Sequence, residues 1–168
     1  MALRLSVRTL IISLNKSTKC VVSIVSILAI VAMAWQLATL HAVPACKAVI
    51  NMSNTLDGQV RETSLLVNVI PSRFREVTFL LDGQVASEQG ISTLSRVVDA
   101  DYDYRQGYYY FSVKDVKKKS VDNMNDADIV ATAAVINSPH FIFKIGSLDD
   151  NRLVFSSNIA PSFVCTKS

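Results

Sequence analysis

One stretch limits what this chain can be: residues 20–43, CVVSIVSILAIVAMAWQLATLHAV, hold no Asp, Glu, Lys or Arg. At about 1.5 Å of rise per residue, such a run makes a helix long enough to cross a hydrocarbon core of about 30 Å. Arg4, Arg8, Lys16 and Lys19 precede it, and the first acidic residue is Asp57. A basic flank without acids is retained in the cytoplasm, so the expected topology is N-terminus in and C-terminal domain out. The chain then divides into a basic leader (1–19), a transmembrane helix (20–43) and an exported domain (44–168). The leader is too short to hold a DNA-binding or kinase domain.

Two other readings of the run stay open. Ala32-Met33-Ala34 has the A-x-A form of a signal-peptidase site, but Trp35, Leu37, Ala38 and Leu40 continue the apolar character past it. Val43-Pro44-Ala45-Cys46 has the outline of a lipoprotein signal, with proline a poor fit at its second position. Within the run, Ala34, Ala38 and Ala42 recur every four residues and form a candidate helix-packing face, although alanine is common in such helices.

Cys20 lies at the cytoplasmic edge of the run, whereas Cys46 and Cys165 both fall in the exported domain. Disulfides persist in oxidising compartments, so these two are expected to pair and tie the start of the domain to its C-terminal end.

After Pro44 the pattern alternates. Leu65, Val67 and Val69 share one parity, as do Val77, Phe79 and Leu81, then Tyr109, Phe111 and Val113, then Phe141, Phe143 and Ile145. A period of two in β-branched and aromatic residues predicts half-buried strands. Turn signals separate them: Asp57-Gly58, Pro71-Ser72, Asp82-Gly83, Gln106-Gly107, Ser138-Pro139 and Asp149-Asp150-Asn151. The expectation is a mainly β domain, an antiparallel barrel or sandwich of about seven or eight strands. Residues Asp122–Val135 read as a short helix or as a strand. Leu-Asp-Gly-Gln-Val occurs at Leu56–Val60 and again at Leu81–Val85, read as one Asp-Gly hairpin turn used twice.

Catalytic signals are weak. Asp99, Asp101 and Asp103 alternate like calcium-loop ligands, but Tyr104 replaces the required glycine and Tyr110 the bidentate acid. Lys114, Lys117, Lys118 and Lys119 form a basic cluster, expected to be a solvated turn or an attraction for anionic headgroups or an acidic partner. Asn51-Met52-Ser53 matches a glycosylation sequon, a frequent chance triplet. His41 and His140 are the two histidines, and no G-x-S-x-G, H-E-x-x-H or Walker motif is present. No enzyme, metal or cofactor is expected, and nucleic acid is not an expected direct partner outside the membrane. Tyr102, Tyr104, Tyr108, Tyr109 and Tyr110 are candidates for a ligand mouth or an interface, since each joins an apolar ring to a polar tip; the alternative is ordinary core and surface tyrosine.

The layout of basic leader, apolar anchor and β-rich exported domain resembles the FidL-like and ToxS-type accessory proteins of enterobacteria and vibrios. The segment Phe74–Val85, FREVTFLLDGQV, is also similar to that family. The resemblance implies a bacterial inner-membrane protein with a periplasmic, lipocalin-like domain. That domain would pair with the periplasmic part of a ToxR-like transmembrane regulator, with a shared pocket for a hydrophobic signal such as a bile salt. The rival expectations are a stand-alone anchored carrier of a lipophilic molecule and an envelope structural or secretion component.

Overall fold

The computed structural model describes residues 16–39, 41–56, 59–87, 90–124, 138–157 and 161–168. The chain forms two units, residues 1–41 and 42–168. In the first, helix α1 runs Lys16–Thr39. Its segment Ser17–Gln36, 20 residues, is long and apolar enough to cross a membrane, and suits a single-pass anchor or a signal sequence. The helix is displaced toward the N-terminus relative to the expected 20–43. Lys16 and Lys19 are helical, and the helix ends before Ala42. Pro44 disfavours helical geometry in the residue before it, which fits this early stop. Ala42 therefore lies outside the helix and does not continue an alanine face with Ala34. Ala38 is helical, but its side chain is outside the described set.

The second unit is a closed antiparallel barrel in which eight strands neighbour one another in sequence order. They are β1 (Cys46–Leu56), β2 (Gln59–Pro71), β3 (Glu76–Ser87), β4 (Gly90–Arg105), β5 (Tyr108–Lys118), β6 (His140–Ser147), β7 (Arg152–Ser156) and β8 (Pro161–Lys167). Alternation sorts the side chains. Leu65, Val67, Val69, Val77, Phe79, Leu81, Phe111, Phe141, Phe143 and Phe155 point inward and are buried. An eight-stranded barrel has an interior that side chains can fill, and here aromatic rings occupy it. Phe111 stacks on Phe141 at 4.8 Å between centroids, Phe155 stacks on Phe163 at 4.7 Å, and Phe79 meets Phe111 edge-on at 5.5 Å.

The ladders are unequal. β1 and β2 pair from Cys46↔Val69 to Leu56↔Gln59, whereas β1 meets β8 at two positions, Cys46↔Lys167 and Lys47↔Thr166. The Cys46–Cys165 disulfide spans this short seam with its Cα atoms 5.6 Å apart. The Ser168 amide adds a hydrogen bond to the Ala45 carbonyl at 3.2 Å. The expected cystine is thus the covalent closure of the barrel, and Cys20 is a free, exposed thiol on α1.

Several turns fall where anticipated. Gln106 (φ 52°) and Gly107 (φ 87°) make the two-residue turn between the paired Arg105 and Tyr108. Asp149 Oδ1 accepts the Asn151 and Arg152 amides at 3.0 and 2.7 Å and so builds the β6–β7 turn. The second Asp-Gly pair does not turn. Asp82 and Gly83 lie inside β3, paired with Leu66 and Leu65 on one side and with Ser95 and Leu94 on the other. The requirement at Gly83 is proximity: a Cβ there would stand 2.5 Å from the Ser64 carbonyl oxygen and 3.0 Å from Leu65 Cα. Gly83 lets β2 approach β3 closely on the inward side. The first copy of the pentapeptide does flank the β1–β2 connection, where Leu56 pairs with Gln59; residues 57–58 are outside the described set.

The lysine cluster is likewise strand rather than turn through Lys118. Asp122–Met124 is neither helix nor strand, and the rest of the Asp122–Val135 segment lies outside the described residues.

Gly83→Ala is expected to destabilise the barrel by about 1–3 kcal/mol, the usual result of forcing a methyl into filled space. Gly146→Ala, where an added Cβ meets nothing within 4 Å, should change stability by less than about 0.5 kcal/mol. Thermal denaturation of the two variants checks this pair. Cys165→Ser should cost about 2–5 kcal/mol under oxidising conditions and nothing further under reductant.

Candidate functional site

The register of β4 on β5 decides where the five tyrosines go. Tyr104 pairs with Tyr109, Tyr102 with Phe111, Asp103 with Tyr110 and Arg105 with Tyr108. Alternation then sends Tyr102, Tyr104 and Tyr109 inward and leaves Tyr108 and Tyr110 on the outer face. Tyr102 and Tyr109 are buried, and Tyr104 packs against the core. Tyr104 and Tyr109 rings lie 4.9 Å apart, and Tyr102 and Tyr109 rings 5.9 Å apart. Burial pushes the Tyr109 hydroxyl pKa up, helped by Tyr104 and Tyr102. The Tyr102 hydroxyl accepts the Val43 amide at 3.2 Å. These three tyrosines are core residues, and the five do not form one cluster.

The outer face of β3–β4–β5 carries acids in direct opposition. Glu76 pairs with Asp101 and Asp99 with Asp115. Like charges facing each other across strands are unfavourable, and in each case a lysine of β5 sits between them. Lys114 Nζ reaches Glu76 at 3.1 Å and Asp101 at 3.3 Å; Lys117 Nζ reaches Asp99 at 2.9 Å and Asp115 at 3.3 Å. The Asp99 carboxyl is held below its ordinary value by the Thr78 hydroxyl and then by Lys117. Lys114 is held above its ordinary value, first by its hydrogen bond to Glu76. The alternating aspartates are therefore ion-paired with cations of the barrel wall, and the basic cluster is matched by acids. Among the described residues, no group of three or more His, Cys, Asp or Glu could hold a metal ion.

Beside this network lies a cleft of about 630 Å³ on the outer wall, with Phe74, Arg75, Arg105, Tyr110, His140 and Ile142 among its lining. Arg75 closes the turn between β2 and β3 with φ at 57°, a left-handed conformation uncommon for a side chain of its size. That turn is fixed by hydrogen bonds from the Ser72 amide to Glu76 O and from the Glu76 amide to Arg73 O, both 3.1 Å. The Tyr102 amide donates to Arg75 O at 2.9 Å. The Arg75 guanidinium lies 5.4 Å from the centroid of the Phe74 ring. Asp103 receives Arg75 on one carboxylate oxygen at 2.9 Å and Arg105 on the other at 2.6 Å. The hydrogen bond from Arg105 is the main reason its carboxyl titrates below the ordinary value, with Arg75 adding to it.

Also lining the cleft, Ser112 of β5 pairs with His140 of β6, with Oγ and Nδ1 3.2 Å apart. Among the described residues no carboxylate orients this imidazole, so the pair lacks the third member of a hydrolytic triad. Phe74, Arg75, Arg105 and His140 were not legible as one site, because they join only through the strand register. Asp103 and Arg105, two residues apart in an extended segment, were the local hint that one face there is charged.

A second polar feature sits at the other end of β4. Residues 119–124 fold back on β4: the Lys119 amide donates to Ser95 O at 3.0 Å and the Asn123 amide to Thr93 O at 3.1 Å. The fully buried Asp122 carboxylate accepts from Arg96 Nε and the Ser95 amide, both at 3.0 Å, and from the Met124 amide at 3.2 Å. Burial alone would raise its pKa, but Arg96, the Ser95 amide and Lys118 together hold it below the ordinary value of 3.8.

A carboxyl whose folded pKa is depressed adds stability above its unfolded pKa, and that contribution is lost as pH falls through the folded value. Asp99 and Asp149 are lowered too. The melting temperature should hold from neutral pH down to about pH 5 and fall below about pH 4. Asp122→Asn should cost about 3 kcal/mol at neutral pH by removing the buried charge that the Arg96 guanidinium and the Ser95 amide hold, and should flatten the acid limb.

A scan against family models and a search of the curated proteins returned no match to this chain.

Proposed function

We propose that this chain is a membrane-anchored accessory protein of the bacterial inner membrane. Its periplasmic barrel binds and stabilises a ToxR-like transmembrane regulator, and the pair responds to a hydrophobic signal such as a bile salt. The observation that carries the reading is the open, aromatic and arginine-lined cleft on a barrel whose described interior is occupied by stacked rings. A wall of this kind suits contact from outside better than storage of a lipid within. The apolar helix Ser17–Gln36 supports anchoring, and the cystine supports an oxidising compartment. Stabilisation is then mass action: a barrel that binds only the folded partner shifts that partner toward its folded population.

Full-length protein solubilised from membranes in mild detergent should bring down a DNA-binding membrane protein. Deleting the chain should shorten that partner's lifetime in a pulse-chase. Recovery of no such partner under crosslinking, with its lifetime unchanged, would sink the reading.

A further inference from the structure

We infer that the outer-wall cleft is the docking site for an extended segment of a protein partner, one that places a single carboxylate side chain next to an apolar or aromatic one. The inference rests on the reading of the barrel as a partner-binding module and names the surface and chemistry of contact.

Charge carries the first part. The charges lining or bordering the cleft are sorted. Lys114 serves Glu76 and Asp101 at one side, while Arg75 and Arg105 share the single carboxylate of Asp103 at the other. The two guanidinium side chains are 55% and 71% exposed, and each uses one nitrogen on Asp103. Two planar forks against one carboxylate leave donors for a second carboxylate, which would complete a two-to-two arrangement. Glu76 and Asp101 nearby make a dianion a poorer fit than one singly charged side chain.

Exposure carries the second. Phe74 is 70% exposed and Tyr110 38% exposed. Small-molecule sites enclose most of their ligand, whereas a shallow patch of Phe, Tyr and Arg has the composition of a protein-interface hot spot. The turn that fixes Arg75 at positive φ presents its guanidinium beside the Phe74 ring before any partner arrives. Such a local cost is retained where the surroundings impose it and function uses it. A carboxylate on the arginines and an apolar neighbour over Phe74 and Tyr110 would use both halves of the cleft together.

The test uses the full chain in phosphatidylcholine nanodiscs, isotope-labelled, with no regulator present. It is titrated with a blocked peptide carrying Asp between Phe and Leu, and with the same peptide carrying Asn. Saturable shifts are expected at the amides of Phe74, Arg75, Arg105, Tyr110 and His140, with the Asn peptide about tenfold weaker. Arg75→Gln combined with Arg105→Gln should abolish the difference between peptides while leaving the melting temperature near the parent's. Equal binding of the two peptides, or shifts confined to other strands, would overturn the inference. So would a response at these residues to phosphatidylglycerol nanodiscs but not to peptide, which would assign the cleft to lipid. Recovery of a regulator by co-purification is a separate measurement, so either idea can fail without the other.

Discussion

Closure of the sheet is the constraint on which the rest of the barrel depends. A strand edge left open exposes unpaired amides and carbonyls, and a barrel removes that liability only when its last strand meets its first. Here the last meeting is the weakest, two register positions between β1 and β8. Backbone hydrogen bonds alone would hold this seam poorly, and a covalent bond between Cys46 and Cys165 crosses it. Once the seam is held, the inward residues of the strands enclose one shared volume. The Phe111–Phe141 and Phe155–Phe163 stacks can then fill it from different strands.

The outer wall follows a different logic. Glu76 opposite Asp101 and Asp99 opposite Asp115 are repulsive pairs that a neutral sheet would not tolerate well. One lysine per pair, contributed by β5, converts each into a three-charge bridge. These residues are substantially exposed, so each bridge contributes modestly to stability. Their effect is on specificity of register: a one-residue slip of β5 would turn Lys114 to the other face and leave Glu76 opposite Asp101 in bare repulsion. Each bridge keeps one negative charge in excess, while excess positive charge and uncommitted donors gather at Arg75 and Arg105.

How far the sequence could be read depended on the range of the interaction. Strand alternation at Leu65–Val69 or Phe141–Ile145 is local, and it yields an antiparallel barrel or sandwich with an apolar inward face, of which the barrel is what forms. The Cys46–Cys165 pairing was legible because the chain after the apolar run holds two cysteines. Gly83 was misread because the dipeptide Asp-Gly has one meaning to its neighbours and another to β2, whose Ser64 carbonyl occupies the space of a side chain. The five tyrosines could not be sorted from the sequence because they divide between inside and outside once β4 and β5 turn at Gln106-Gly107. Arg96 and Asp122 were invisible for a similar reason: their bond depends on the chain folding back past the end of β5. The cleft is the extreme case, since its residues come from a turn and four strands.

The cystine also sets an order of events. Cys165 is made 119 residues after Cys46, so the first strand of the barrel has to wait through the synthesis of seven others before its second edge is covered. During that interval the enclosure is open and Phe155 still lacks its stacking partner Phe163, a state in which β-rich chains are exposed to wrong pairing. Only the C-terminal strand can complete both the seam and the cystine, so closure of the barrel is the last contact that the order of the chain allows.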